Sequence, residues 1–218
     1  MRRLLLIALG VLATRAHALQ LPAAMSAPPC VACGVDATEV RRTFSDENWK
    51  ALGSGAILTS ETSGPDPHDQ RSVAAAGIIH YPPGQVWSVV TDFESRPHYV
   101  SNTKEVHITR IEGARVWVAQ RLRILLTSIR FAVICTLDPE HGSVRWTLDQ
   151  NAEHDIAGTT GSWQLVPVAN GRETFVSYRA WIDSGRPVPG FIENFMLKRT
   201  LPGLIAGVRD EVRRRFAR

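Results

Sequence analysis

The side chains able to do covalent or metal chemistry are few, and their spacing is wrong for most of it. Cysteines stand at positions 30, 33 and 135. A Cys-x-x-Cys pair acts as a thioredoxin-like redox centre when it opens a helix in a βαβ setting, and Cys30-Val-Ala-Cys33 has no such pattern around it. Haem attachment needs a histidine after the second cysteine, where Gly34 stands. Two ligands alone do not make a zinc site. The pair is a candidate for a local disulfide in an oxidising compartment; redox chemistry and free thiols are the alternatives. Cys135 falls on the apolar side of a strand pattern and reads as an inert core residue. His68, His80, His98, His107, His141 and His154 include no pair at metal-ligand spacing. His98, next to Tyr99 in a turn, reads as exposed. No Gly-x-Ser-x-Gly elbow occurs, and no glycine-rich phosphate loop. Asp92 reads as a carboxylate that stabilises its own turn through local backbone. No catalytic residue, metal or cofactor is predicted.

The stronger signal is apolar. Val118, Gln120, Phe131, Val133, Trp146, Trp163 and Tyr178 recur on one side of period-two segments. Phe191 and Phe195 lie on a later helical stripe, and Tyr99 sits at the turn before the strands. Such a set either fills a core or lines a pocket for an apolar molecule. Gln120 and Tyr178 are its polar members. A buried amide or phenol needs a hydrogen-bond partner, and a ligand oxygen can supply one. These ten residues are the predicted ligand-binding set.

The elements that position them follow from periodicity. Asp36 to Glu39 resembles a capping box and predicts one helix to about Leu52, docking through Val40, Phe44 and Trp49. Ala56–Glu61 and Val73–Tyr81 are strand candidates, separated by turn chemistry. Pro82-Pro83-Gly84 opens a helix with Val86, Val89, Val90 and Phe93 on one face, which Pro97 ends. Six alternating strands follow between Lys104 and Ile182. Pro187 and Pro189 introduce a long terminal helix marked by Phe191, Phe195, Leu201, Ile205, Val208, Val212 and Phe216, kinked at Pro202. A meander of this kind has one apolar face, and twisting buries it by wrapping around something. Only the final helix is long enough to be gripped. The fold class is therefore α+β, a curved antiparallel sheet around a long C-terminal helix, with two short helices after the first core strand and a ligand gap between sheet and helix.

Composition bounds the rest. The chain has 218 residues, 44% hydrophobic and 21% charged, an ordinary globular balance. Arg2-Arg3, the apolar run Leu4–Ala13 and Ala16-His17-Ala18 form a secretory signal pattern ending at residue 18. The run is too short to span a bilayer, which takes about 20 residues. The formal charge of +4 includes three arginines of this leader. The remainder is nearly neutral, and a nucleic-acid partner, which needs a basic face, is not expected. The periplasm or the extracellular space is the expected location. Arg209, Arg213, Arg214, Arg215 and Arg218 could touch an anionic membrane surface transiently; the plainer account is that cations stabilise a helix C-terminus.

Three segments carry a family resemblance: Tyr81-Pro-Pro-Gly-Gln-Val-Trp-Ser-Val-Val-Thr-Asp-Phe93, Gly161-Ser-Trp-Gln-Leu-Val-Pro167, and Tyr178-Arg-Ala-Trp-Ile-Asp183 with the following Pro187-Val-Pro-Gly-Phe191 and Leu201-Pro-Gly-Leu204. Together they resemble the START-related helix-grip superfamily of polyketide cyclases and coenzyme-Q-binding START-domain proteins. The resemblance implies a helix-grip domain over residues 56–218, preceded by an extension over 19–55 that the family core lacks. It implies an apolar cavity, and with it a carrier of a lipid, quinone, sterol or hopanoid-like molecule. A cyclase/aromatase and a ligand-free interaction module are the alternatives it leaves open.

Overall fold

The computed structural model describes residues 19–26, 30–62, 72–185 and 196–217. The signal-like leader, Phe191 and Phe195 lie outside the described residues. Eight strands form one antiparallel sheet in the order β1-β2-β8-β7-β6-β5-β4-β3. Strands β1 (Leu58–Thr62) and β2 (Ser72–Ile79) come first. Strands β3 (Thr103–Glu112), β4 (Arg115–Ile124), β5 (Thr127–Asp138), β6 (Ser143–Leu148), β7 (Gly158–Val168) and β8 (Glu173–Asp183) form the meander. Strand β2 returns beside β8, with Ala75 opposite Tyr178. Alternation on β5 shows why the sheet has a dry side: Phe131, Val133, Cys135 and Leu137 are buried, while Ser128, Arg130 and Thr136 face water.

The terminal helix α6 (Leu201–Phe216) lies across the sheet and buries Leu201, Ile205, Val208 and Val212, spaced as one helical face requires. Pro202 does not kink it. It occupies the first turn, where a missing N–H costs nothing, and a π-helical turn (Met196–Thr200) leads into it. Helix α4 (Pro83–Val90) buries Val86, Val89 and Val90 as predicted, but Trp87 is buried as well. The reason lies in the N-terminal extension, which covers the other side of α4. The Trp87 indole N–H donates to the carbonyl of Met25, in α1 (Ala23–Ser26), at 2.7 Å. Further along, Val31 and Ala32 enter the main core. The N–H of Ala32 donates to Pro139 and that of Gly34 to Glu140, at 2.9 and 3.0 Å. The extension is thus a strap across the β5–β6 end of the sheet.

The single helix expected after Asp36 is two. Asp36 caps α2 (Ala37–Arg42), and Ser45 caps α3 (Asp46–Gly53) by accepting from the N–H of Asn48. A polar side chain that satisfies a free backbone donor makes a new helix start worth more than one continuous helix. The pair packs on the convex face, where Val40, Phe44 and Trp49 meet Leu52, Val166 and Phe175. Both faces of this part of the sheet are therefore covered.

Candidate functional site: an aromatic floor beneath the terminal helix

Val116, Val118, Val144, Leu165 and Val176 of the concave face are fully buried. Trp146, level with Cys135 and Val116, and Tyr178, level with Trp163 and Val144, are only half-buried among them. At the rim by the β4–β5 hairpin Gln120, Leu122 and Ile129 are half-buried as well. The hairpin tip beside this rim holds Leu125 and Leu126, the latter 90% exposed.

Three aromatic rings make the floor. Trp146 stacks on Tyr178 with centroids 5.3 Å apart, and Trp163 meets Tyr178 edge-on at 4.9 Å. Register places them: Trp163 faces Tyr178 across β7 and β8, and Trp146 faces Gly161 across β6 and β7. Gly161 is required there, because a Cβ would stand 2.1 Å from the Trp146 ring. The indole lies flat over the strand for that reason. Tyr178 has no hydrogen-bond partner among the described residues, and neither has the Gln120 side chain. Burial pushes the Tyr178 phenol up to about 12, so it stays a neutral donor, with the positive charge of Arg96 acting the other way. Cys135, opposite Trp146 on the same face, is buried, and burial raises its thiol to about 11, an inert state for a nucleophile.

Of the ten predicted residues, Val118, Gln120, Phe131, Val133, Trp146, Trp163 and Tyr178 share the concave face. Val118, Phe131, Val133 and Trp163 are core; Gln120, Trp146 and Tyr178 are the accessible members. Tyr99 belongs to α5 (Arg96–Tyr99), which leads into β3. Its hydroxyl donates to the carbonyl of Val89 at 3.0 Å, so it ties α5 to α4. Cys30 and Cys33 are exposed thiols next to each other on the strap, and the hydrogen bond from Cys33 raises the Cys30 thiol.

Three charged positions depart from expectation. Asp92 does not serve its own turn: it accepts from Arg215 of α6 at 2.7 Å. The C-terminal arginines are largely engaged. Arg213 meets Asp210, while Arg214 and Arg215 both hold Glu211 at 2.6 Å. Arg209 is turned inward and donates to the carbonyl of Gly55 at 2.8 Å. The third position is Arg96, which no periodic pattern marks. Its guanidinium lies over the fully buried Phe93 ring, 4.5 Å from the centroid, and donates to the Val90 carbonyl at 3.1 Å. His98, next to it, is exposed. Two surface clefts are formed by described residues. One of about 350 Å3 runs between Leu19–Leu21 and Ser88–Glu94; one of about 420 Å3 lies around His154. Neither touches the floor. No cluster able to hold a metal ion occurs among the described residues, and no helix among them is long and apolar enough to cross a membrane.

A curved sheet gripping its last helix over an apolar floor defines a helix-grip protein. The family described as "Polyketide cyclase / dehydrase and lipid transport" matches over residues 70–217, and the chain belongs to it. Solved structures share the fold at low identity. A STAR-related lipid transfer protein from Xanthomonas axonopodis is 15% identical, with a TM-score of 0.60 over 72% of this chain and 93% of that one. The Zhui aromatase/cyclase from a Streptomyces species is 16% identical, with 0.58 over 67% and 95%. Human StAR-related lipid transfer protein 5 is 11% identical, with 0.58 over 83% and 93%. No curated protein matches in sequence.

Proposed function

We propose that the protein is a periplasmic or secreted carrier of a hydrophobic small molecule, held between the sheet and α6. The observation that carries this reading is the half-buried aromatic floor: Trp146 and Tyr178 stack on the concave face without being fully covered, while Val116, Val144 and Leu165 around them are fully buried. Family membership supports it, since lipid transport is among the activities the family is described by. The leader pattern supports the location. Burying about 300 Å2 of apolar ligand surface contributes on the order of 7 kcal/mol gross. Immobilisation removes part of it, which leaves affinity in the micromolar range. Binding alone asks for no acid–base pair; His98 is exposed and Asp92 is ion-paired with Arg215. The rim with its Leu125–Leu126 tip is where an apolar ligand would pass to and from a lipid surface.

The test is to purify the protein from the compartment in which it accumulates and analyse it by native mass spectrometry, with organic extraction in parallel. A stoichiometric apolar molecule, lost on extraction, is the expected result. Repeated recovery of an empty chain that also fails to take up added lipid would overturn the carrier reading.

A further inference from the structure

Arg96 is a half-buried cation without a carboxylate partner among the described residues. The ring beneath it, Phe93, is fully buried, and the guanidinium lies 4.5 Å from its centroid. One of its N–H groups donates to Val90; a guanidinium has five. The carboxylates that could serve it are taken. Asp92 is held by Arg215, and Glu211 by Arg214 and Arg215. Glu94 accepts from the backbone N–H of Ile108 at 3.1 Å. Among the described residues no carboxylate comes within 4.0 Å of Arg96. Its charge is felt on the floor itself, at Tyr178 and at Cys135 beside Trp146.

A half-buried cation without a counter-ion is partly desolvated at a cost, and a facing aromatic ring returns only part of it. Together, the floor and a guanidinium whose charge reaches it match an amphiphile with an apolar body and an anionic end. We propose that Arg96 is the head-group anchor of the site, and that the carried molecule is a long-chain carboxylate whose tail lies on Trp146 and Tyr178. A planar fork pairs with a carboxylate through two parallel hydrogen bonds, which a hydroxyl or ester cannot reproduce. The inference rests on the carrier reading and narrows it.

The probes are dodecanoate and dodecanol, matched in chain length, titrated at a pH of about 8, where the acid is ionised. Tryptophan fluorescence reports binding. The intact protein is expected to hold dodecanoate at least about tenfold tighter than dodecanol, the usual scale of a charge-assisted bond. Arg96→Gln should bring the two probes level, mainly by weakening dodecanoate. Should the Gln variant lose its native circular dichroism, Arg96→Lys serves instead. It keeps the charge without the fork, and should retain a smaller preference. Equal affinity for both probes in the unaltered protein would overturn the anchor and leave the carrier reading standing, as would a preference undiminished in either variant. Binding of neither probe would count against both.

Discussion

Substituting Gly207 tests how closely α5 and α6 approach, and therefore what holds Arg96 in place. In an exposed helix interior, Gly→Ala stabilises by about 1 kcal/mol. At Gly207 a Cβ would lie 2.1 Å from the carbonyl oxygen of Tyr99 and 3.1 Å from its carbon. That is over an ångström short of ordinary contact, and the obstacle is backbone. The Tyr99 backbone cannot withdraw freely, because its hydroxyl is bound to Val89. Overpacking of this kind costs about 1–3 kcal/mol, and so severe an overlap belongs at the upper end. Gly207→Ala should therefore lose roughly 2 kcal/mol net, or about 4–8 °C in Tm for a domain of this size. Gly203 supplies the control on the same helix: nothing lies within 4 Å of its added Cβ, so Gly203→Ala should gain up to about 1 kcal/mol. Urea unfolding of both variants at equal m-value is the assay. If Gly207→Ala proves as stable as Gly203→Ala, the two helices do not touch as described, and the placement of Arg96 loses its support.

Acid should release a second tie. The hydrogen bonds of Arg214 and Arg215 hold the Glu211 carboxyl at about 2, well below its usual 4.5. A depressed carboxylate stabilises the fold above its unfolded pKa, so this contribution is full above pH about 4.5 and lost as the pH falls toward 2. Glu211 itself is buried but Arg214 is open to solvent, which trims the effect to roughly 1–2 kcal/mol; Glu211→Gln should remove it and flatten stability across that window. An unchanged acid limb in that variant would refute the pairing. Trp163→Ala should destabilise by about 3–5 kcal/mol in chemical denaturation, since the indole is 4% exposed and braces Tyr178; a loss under 1 kcal/mol would show that the floor is not packed as described.

The sheet was legible because a one-sided sheet has to alternate. Val116, Val118, Phe131, Val133 and Cys135 could not be shifted by one residue without turning the core outward. The gripped helix was legible from its own stripe, Leu201, Ile205, Val208 and Val212, which are the residues it buries. What could not be read was set by partners distant in the chain. Trp87 falls off the apolar stripe of α4 and is buried by a strap whose composition suggests only an extended tail. Asp92 and Arg215 meet across nearly the whole domain. Ser45 breaks a helix by a local cap that the apolar pattern around it hides. Arg96 has no periodic signature at all, since one cation before a proline looks like surface until the ring beneath it is seen to be buried.

The strap also bears on how the molecule is assembled. Its backbone docks on Pro139 and Glu140, far along the chain, so this latch has no seat until the β5–β6 hairpin exists. Closing so long a loop is slow and comes after local pairing. Amide protons of Ala32 and Gly34 should then gain protection late in refolding. A shortened chain confined to the family's own span would keep strands β2 to β8 but lose the edge strand β1, and would leave the Trp87 indole N–H bare and a greasy scar along α4.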